Sequence, residues 1–409
     1  MDEGTQRIRR FYIFRMVTSF ALWMPFWTLW VYKNLDDVFL MTVVDTAFWI
    51  TMILFQIPAG LLGDRYGRRT MLLVGELMYA IGLLAFGLST GFPQFLASNV
   101  IWALGVCFIV SGDTPFVYDT LLELKRGKDF TKVMGTANAL MLMTNAVACV
   151  VGGYLVQTTD HPEYTLIIAS VIGFTGAFAA LALKEPKIDR QEMGTYRRHF
   201  SKGLKVVTSS RPILTLILFQ IILEIGIYVM AVFRSVYMQE ELELNYLEIG
   251  LFYAAFMVVG GLIVRRASNV EASLGEKGSL WMMYLALAAS FAVVFVVQSP
   301  AAIMMQFMIY AVSVLQGPII GDYINRRVDS AHRSTVMGIA TFIFTFILTI
   351  VEVSAGYIGE LWGLRESLLV LAIGSAPIAI YLLVLWGREL DKEKAESSKE
   401  KKQRTLKTL

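Results

Sequence analysis

Gly60-Leu61-Leu62-Gly63-Asp64-Arg65-Tyr66-Gly67-Arg68-Arg69 is a short knot of glycines and charges between two long apolar runs. The flanking runs, residues 38–62 and 71–90, are long and apolar enough to cross the hydrocarbon core of a bilayer, which takes about 20 residues. The knot therefore sits at a membrane face. Gly60 and Gly63 let two backbones approach closely, and Gly67 can adopt a turn with positive φ. Asp64, Arg65, Arg68 and Arg69 fix charge where the second apolar run ends.

Similar runs recur along all 409 residues, of which 56% are hydrophobic and 17% charged. A soluble chain of this length carries more charge. Twelve helices are predicted, over residues 11–32, 38–62, 71–90, 93–122, 132–156, 164–183, 212–238, 246–264, 279–298, 300–321, 335–358 and 366–387. A β-barrel is excluded, because barrel strands are short and alternate in polarity. The expected fold class is all-α and polytopic. Residues 11–32 are too long for a signal-peptide core and lack a small-residue cleavage site, so they are expected to remain as the first helix, bent at Pro25. Cys107 and Cys149 fall inside predicted helices and supply neither a disulfide framework nor a metal cluster.

Basic residues settle the expected topology. Arg7, Arg9 and Arg10 precede the first helix. Lys125, Arg126, Lys128 and Lys132 follow the fourth, and Lys184, Lys187, Arg190, Arg197, Arg198, Lys202, Lys205 and Arg211 lie between the sixth and seventh. Arg265, Arg266 and Lys277 follow the eighth; Arg326, Arg327 and Arg333 follow the tenth. The opposite loops hold little beyond Lys33, Arg365 and Arg234. Both termini are expected in the cytoplasm, with the chain spanning a prokaryotic plasma membrane.

Sliding the chain on itself by about 203 residues pairs Pro115 with Pro318, Asp119 with Asp322, Val133-Met134-Gly135 with Val336-Met337-Gly338, and Gly153-Tyr154 with Gly356-Tyr357. The expected organisation is a six-helix bundle over 1–183, a linker over 184–211, a second six-helix bundle over 212–387 and a charged tail over 388–409. Residues 196–210 read as an interfacial helix or as a plain linker. The tail is low in complexity and is expected to fray.

The knot, Gly-x-x-x-Asp-Arg-x-Gly-Arg-Arg, resembles the loop between helices 2 and 3 of the major facilitator superfamily of secondary transporters and matches it at every fixed position. The run Ser111-Gly112-Asp113-Thr114-Pro115-Phe116-Val117-Tyr118-Asp119-Thr120-Leu121 is similar to one in a prokaryotic, drug-efflux-like branch of permeases. The resemblance implies twelve transmembrane helices in two pseudo-symmetric six-helix bundles, with a substrate site between them near the bilayer midplane. It implies a gate in which Asp64 meets the N-terminus of the eleventh helix near residues 334–336 while Arg65, Arg68 and Arg69 pair with acids such as Asp119. Asp322 is then expected near Arg265 and Arg266 as a second, degenerate bracket. Two features depart from drug–proton antiporters of the family. Ile101 stands where they carry an arginine four residues before Gly105. Ala148-Cys149-Val150-Val151-Gly152-Gly153 keeps only the last two glycines of their Gly-Pro-x-x-Gly-Gly. The resemblance therefore leaves antiport and direction open.

Asp45, Glu76, Asp113, Glu224, Glu352 and Arg15 fall within predicted spans. A charge at the bilayer centre costs about 2.5–3.5 kcal/mol, so such groups face protein or a wet cavity and are functional candidates. The candidates for substrate and proton coupling are Glu224, Glu352, Asp45, Asp113 and Arg15, the last two expected as neighbours. Trp23, Trp27 and Trp30 share a helical face. Trp27 is a candidate for stacking on a flat or cationic compound, against ordinary packing. Glu76 reads as structural. A carboxylate that takes either a proton or a cationic substrate couples the two directly. The expected function is proton-coupled efflux of a small amphipathic or cationic compound by alternating access. The alternatives are a metabolite symporter or facilitator and, in a different class, a non-transporting receptor. No metal cluster, nucleophile elbow or phosphate loop appears, and His161, His199 and His332 all lie in loops, so no enzyme is expected. The partners expected are a small-molecule substrate and the lipid bilayer, with no nucleic acid, no cofactor beyond a proton or other ion gradient, and a monomeric working unit.

Overall fold

Helices make up nearly all of the computed structural model, which describes residues 3–187, 207–329 and 333–407. No strand occurs among them. The first crossing departs from the expected single helix. It consists of α1 (Glu3–Thr18) and α2 (Trp27–Leu35), separated by a non-helical stretch. Pro25 has no N–H to give and crowds the carbonyl four residues back. Short-range bonds satisfy the backbone instead, such as Ala21 N–H to Ser19 O at 2.9 Å and Phe26 N–H to Trp23 O at 2.8 Å.

Helix α3 (Val38–Tyr66) begins at Asp37, whose carboxylate accepts from Leu40 N–H at 2.7 Å, and ends at Gly67 with φ 99°. It is followed by α4 (Arg68–Gly87), α5 (Phe92–Glu123), α6 (Phe130–Thr159) and α7 (Glu163–Leu181). In the second half, α8 (Arg211–Val236) runs into a π turn, and α9 (Tyr246–Val264) starts on a reciprocal Asn245–Glu248 cap. Helix α10 (Ala267–Val296) breaks at Gly275 with φ 67°, and α11 (Ile303–Arg327) and α12 (Arg333–Trp362) follow. The last helix, α13, covers Leu364–Lys407. Helices α3 to α13 are each long and apolar enough to cross a bilayer.

The expected fraying of the tail is not what the structure shows, since α13 stays helical to Lys407. Arg327 holds Glu393 at 2.8 Å and Lys392 pairs with Glu389 at 2.8 Å, anchoring the first turns beyond the apolar part. Most of residues 196–210, the interfacial-helix candidate, lies outside the described residues.

Two seams join the halves, α3 on α12 and α6 on α9. Glycines make both possible. A Cβ on Gly153 would lie 2.8 Å from Tyr246 O, and one on Gly250 would collide with Cys149 O. A Cβ on Gly356 would collide with the Thr42 side chain. Gly153 and Gly356 are partners in the internal repeat, so the two halves use the same position to close both seams. These contacts lie at the end of the molecule that carries Asp37. At the opposite end, which carries Asp64, the halves part.

Candidate functional site

A cavity of about 550 Å³ lies between the halves at the Asp64 end. Trp49, Gln56, Gly60 and Asp64 of α3, Ser111 and Pro115 of α5, and Gly338, Thr341 and Thr345 of α12 line it. Gly60 and Gly338 face open space. The close helix approach expected at Gly60 is therefore absent in this state, whereas Gly63 is tight: a Cβ there would lie 2.8 Å from the Arg68 guanidinium and 3.2 Å from Met71.

At the blind end of the cavity, Trp49 leads to a buried polar cluster. The Asp45 carboxylate accepts from Tyr228 O–H at 3.0 Å and from Trp49 Nε1–H at 3.2 Å, and Trp49 Nε1–H also points at the Tyr228 oxygen at 2.7 Å. Glu352 of α12 is fully buried beside Asp45 and the Thr46 hydroxyl, and neither of its carboxyl oxygens has a hydrogen-bond partner among the described residues. Asp45 and Trp49 are one turn apart on α3, and Tyr228 is one turn beyond Glu224 on α8. Glu224 accepts from Gln220 Nε2 at 2.7 Å, so Gln220, Glu224 and Tyr228 form a polar line on α8 that ends at Asp45. Two carboxyl groups from opposite halves thus meet at the α3–α12 seam. Beyond them the seam is shut by Thr42 against Gly356, by Phe39 edge-on to Tyr357 at 5.9 Å, and by Glu360, which accepts from Val38 N–H at 2.7 Å.

The other candidates fall into separate places. Arg15 and Asp113 form an ion pair at 3.0 Å, and Arg15 also touches Met141 Sδ at 3.3 Å. Glu76 is buried beside this pair. Trp27 is brought to neither the cavity nor the acids: it lies edge-on to Phe86 at 6.5 Å. Trp23 donates to the Tyr79 hydroxyl at 2.8 Å and Trp30 to the Phe86 carbonyl at 3.1 Å, so the tryptophans pack into the first half.

The knot itself is organised by Arg68, which pairs with Asp64 and lies 3.5 Å from Asp119. The other two arginines do not reach Asp119. Arg69 donates to Ala180 O and Leu181 O at the end of α7, and Arg65 stacks on Tyr66 at 5.3 Å. Gly67 frees the start of α4, where Glu185 accepts from Arg68 N–H at 2.8 Å and Arg69 N–H at 2.7 Å. The second bracket also differs from expectation. Asp322 pairs with Arg326 on its own helix, and Arg265 and Arg266 are exposed. Arg327, stacked 4.7 Å from Trp386, holds Glu276 at 2.9 Å instead. Here the acid comes from α10 and the base from α11, the reverse of α4 and α5.

Tyr228, Trp49, Glu360 and Glu185 escaped the sequence reading. The first two sit four residues from an intramembrane acid, a spacing that points to them. The two glutamates lie beside loops, where an acid reads as solvated.

A model of the Major Facilitator Superfamily matches residues 11–352. Among curated proteins, the uncharacterized MFS-type transporter YxaM of Bacillus subtilis is 20% identical over 401 residues, covering 91% of this chain and 95% of that one. Multidrug resistance protein 1 of Bacillus subtilis is 25% identical over 141 residues, 34% of this chain and 35% of that protein. Among solved structures, the nucleoside transporter NupG superposes with TM-score 0.76 at 12% identity, covering 93% and 99% of the two chains. A bacterial homologue of the human lysosomal transporter Spinster, in an inward-facing and unoccupied conformation, gives TM-score 0.75 at 12% identity over 94% and 97%. With two six-helix halves, a cavity between them and a family match over most of its length, this chain belongs to the Major Facilitator Superfamily of membrane transporters.

Proposed function

We propose that the chain is a proton-coupled secondary transporter that exports a small amphipathic compound across a prokaryotic plasma membrane, with both termini in the cytoplasm and the Asp64 end facing inward. The observation that carries this is the meeting of Asp45 and Glu352 across the α3–α12 seam at the blind end of the cavity. With one proton between them, the two carboxyl groups attract and hold the seam closed. With both ionised in a dry setting, they repel and favour its opening. Gln220, Glu224 and Tyr228 extend the polar line along α8 to Asp45, and we assign the proton's approach to the pair to this line. The efflux direction is supported by the partial similarity to multidrug resistance proteins. In the alternate state Asp64 meets the start of α12 and closes the inner end.

A thermal-stability screen of the purified chain against small amphipathic compounds supplies a candidate substrate. Proton movement is then followed with a pH dye trapped in proteoliposomes as that compound exchanges. The expected result is coupled proton movement that Glu352→Gln abolishes while substrate counterflow persists. Counterflow without proton movement, under a gradient of either sign, would leave a facilitator.

A further inference from the structure

Arg234, near the end of α8, is buried to 6% exposure, yet no carboxylate pairs with it among the described residues. Its guanidinium is held by neutral groups. Nε donates to Gln306 Oε1 at 3.4 Å, and the plane lies 5.6 Å from the Tyr253 ring and 5.4 Å from Phe256. The Gln306 side chain is wholly buried, and its Nε2 donor has no acceptor. The Tyr253 hydroxyl meets the Ser235 hydroxyl at 2.8 Å and also faces the Arg234 guanidinium. The guanidinium therefore has two neutral acceptors, Gln306 Oε1 and the Tyr253 oxygen, and no anion among the described residues, while Gln306 Nε2 has no acceptor there. A buried cation that lacks a counter-ion, beside a buried donor that lacks an acceptor, is costly in a membrane helix unless an anion completes it.

Its position adds a second point. Tyr253, under the Arg234 guanidinium, is on α9 one turn beyond Gly250, which meets Cys149 O, so the cluster lies directly behind the α6–α9 seam. Cys149 is the repeat partner of Glu352 by the same offset that pairs Gly153 with Gly356. One seam thus carries two acids, and the equivalent place at the other seam backs onto a lone base.

We propose that Arg234 and Gln306 form a receptor for a monoanionic group, the carboxylate of the transported amphipathic compound, with Tyr253 and Phe256 against its apolar body, reached when the α6–α9 seam parts. This rests on the alternating-access reading above. The guanidinium offers paired N–H donors in the fork geometry that fits a carboxylate, and the adjacent rings suit an aryl or acyl group.

The test uses the full chain in detergent and in proteoliposomes, with benzoate, benzamide, benzyltrimethylammonium and sodium chloride as probes. Benzoate is expected to raise the melting midpoint saturably, while the neutral and cationic analogues do not. Arg234→Gln raises the half-effective benzoate concentration about tenfold or more, and Gln306→Leu about threefold. No benzoate effect on the unaltered chain, or an equal effect in Arg234→Gln, overturns the assignment. A saturable effect of chloride alone overturns the carboxylate and leaves an inorganic anion. Should Arg234→Gln not fold, Arg234→Lys keeps the charge without the fork and is expected to weaken benzoate binding several-fold. In a Cys107→Ser chain, maleimide labelling of Cys149 reports opening of the seam separately. A Cys149 that never reacts defeats the alternating-access reading at this seam. A reactive Cys149 that benzoate does not protect defeats only the anion receptor.

Discussion

Glu360, at the end of α12, caps the start of α3 by accepting a hydrogen bond from Val38 N–H at 2.7 Å. A carboxylate from one half meets the positive end of a helix in the other, a favourable arrangement for charge and dipole. The expected inner gate is the same device with the partners exchanged, Asp64 at the end of α3 against the start of α12. On that expectation one pair of helices would carry reciprocal contacts at its two ends; this structure makes the one at the Asp37 end.

Glu360→Gln should keep the hydrogen bond but lose the charge on the α3 terminus, about 1 kcal/mol. The population with the Asp37 end open should rise about fivefold. Pulsed-EPR distances between spin labels at Asp36 and Leu361 measure this directly. An unchanged distance distribution would remove Glu360 from the latch.

Gly356→Ala places a methyl group against Thr42 and should weaken closure of the seam by about 1–3 kcal/mol. Thr42→Gly removes the obstacle, so the double variant should recover most of that loss. Because the two residues touch, the double-mutant cycle should show a coupling of about 0.5–3 kcal/mol. Additive effects would mean that the seam does not close through this pair.

Asp45→Asn and Glu352→Gln each leave a single carboxyl group at the seam. Both should abolish proton-driven accumulation while exchange of substrate across proteoliposomes continues. Tyr228→Phe removes one hydrogen bond to Asp45, worth about 0.5–1.5 kcal/mol, and should shift the pH dependence of transport without abolishing it. Retention of wild-type proton coupling in both acid variants would place the proton site elsewhere.

Arg15→Gln strands the buried Asp113 and should cost about 3–5 kcal/mol of stability. Arg15→Gln combined with Asp113→Asn removes both charges and should recover most of it. Denaturation midpoints of the three proteins in detergent decide whether the pair is structural. A double variant that is stable but inactive would assign it to transport.

Much of the fold was legible because apolar runs, basic loops and repeat-matched glycines are local or periodic signals. The knot at Gly60 to Arg69 named the right turn, with Gly67 at positive φ and Arg68 against Asp119. The split first crossing was not legible, since residues 11–32 read as one apolar run with Arg15 its single charge, and Pro25 alone signals a bend rather than a gap. Asp45 and Glu352 were each visible as misplaced charges, but their pairing depends on how two halves meet, which no local pattern encodes. Asp322 and Arg326 show the converse: a repeat partner kept its identity while its charge partner moved to the next turn of the same helix.

Helix α13 has a practical consequence. Its 44 residues make a rod about 66 Å long, while the hydrocarbon it crosses is about 30 Å thick. Roughly half the rod projects beyond the bilayer, braced at its root by Arg327. A transporter of this size offers electron microscopy almost nothing outside the micelle to align on. A rigid fiducial fused in helical register to this rod would turn with the second half and make its rocking visible in images.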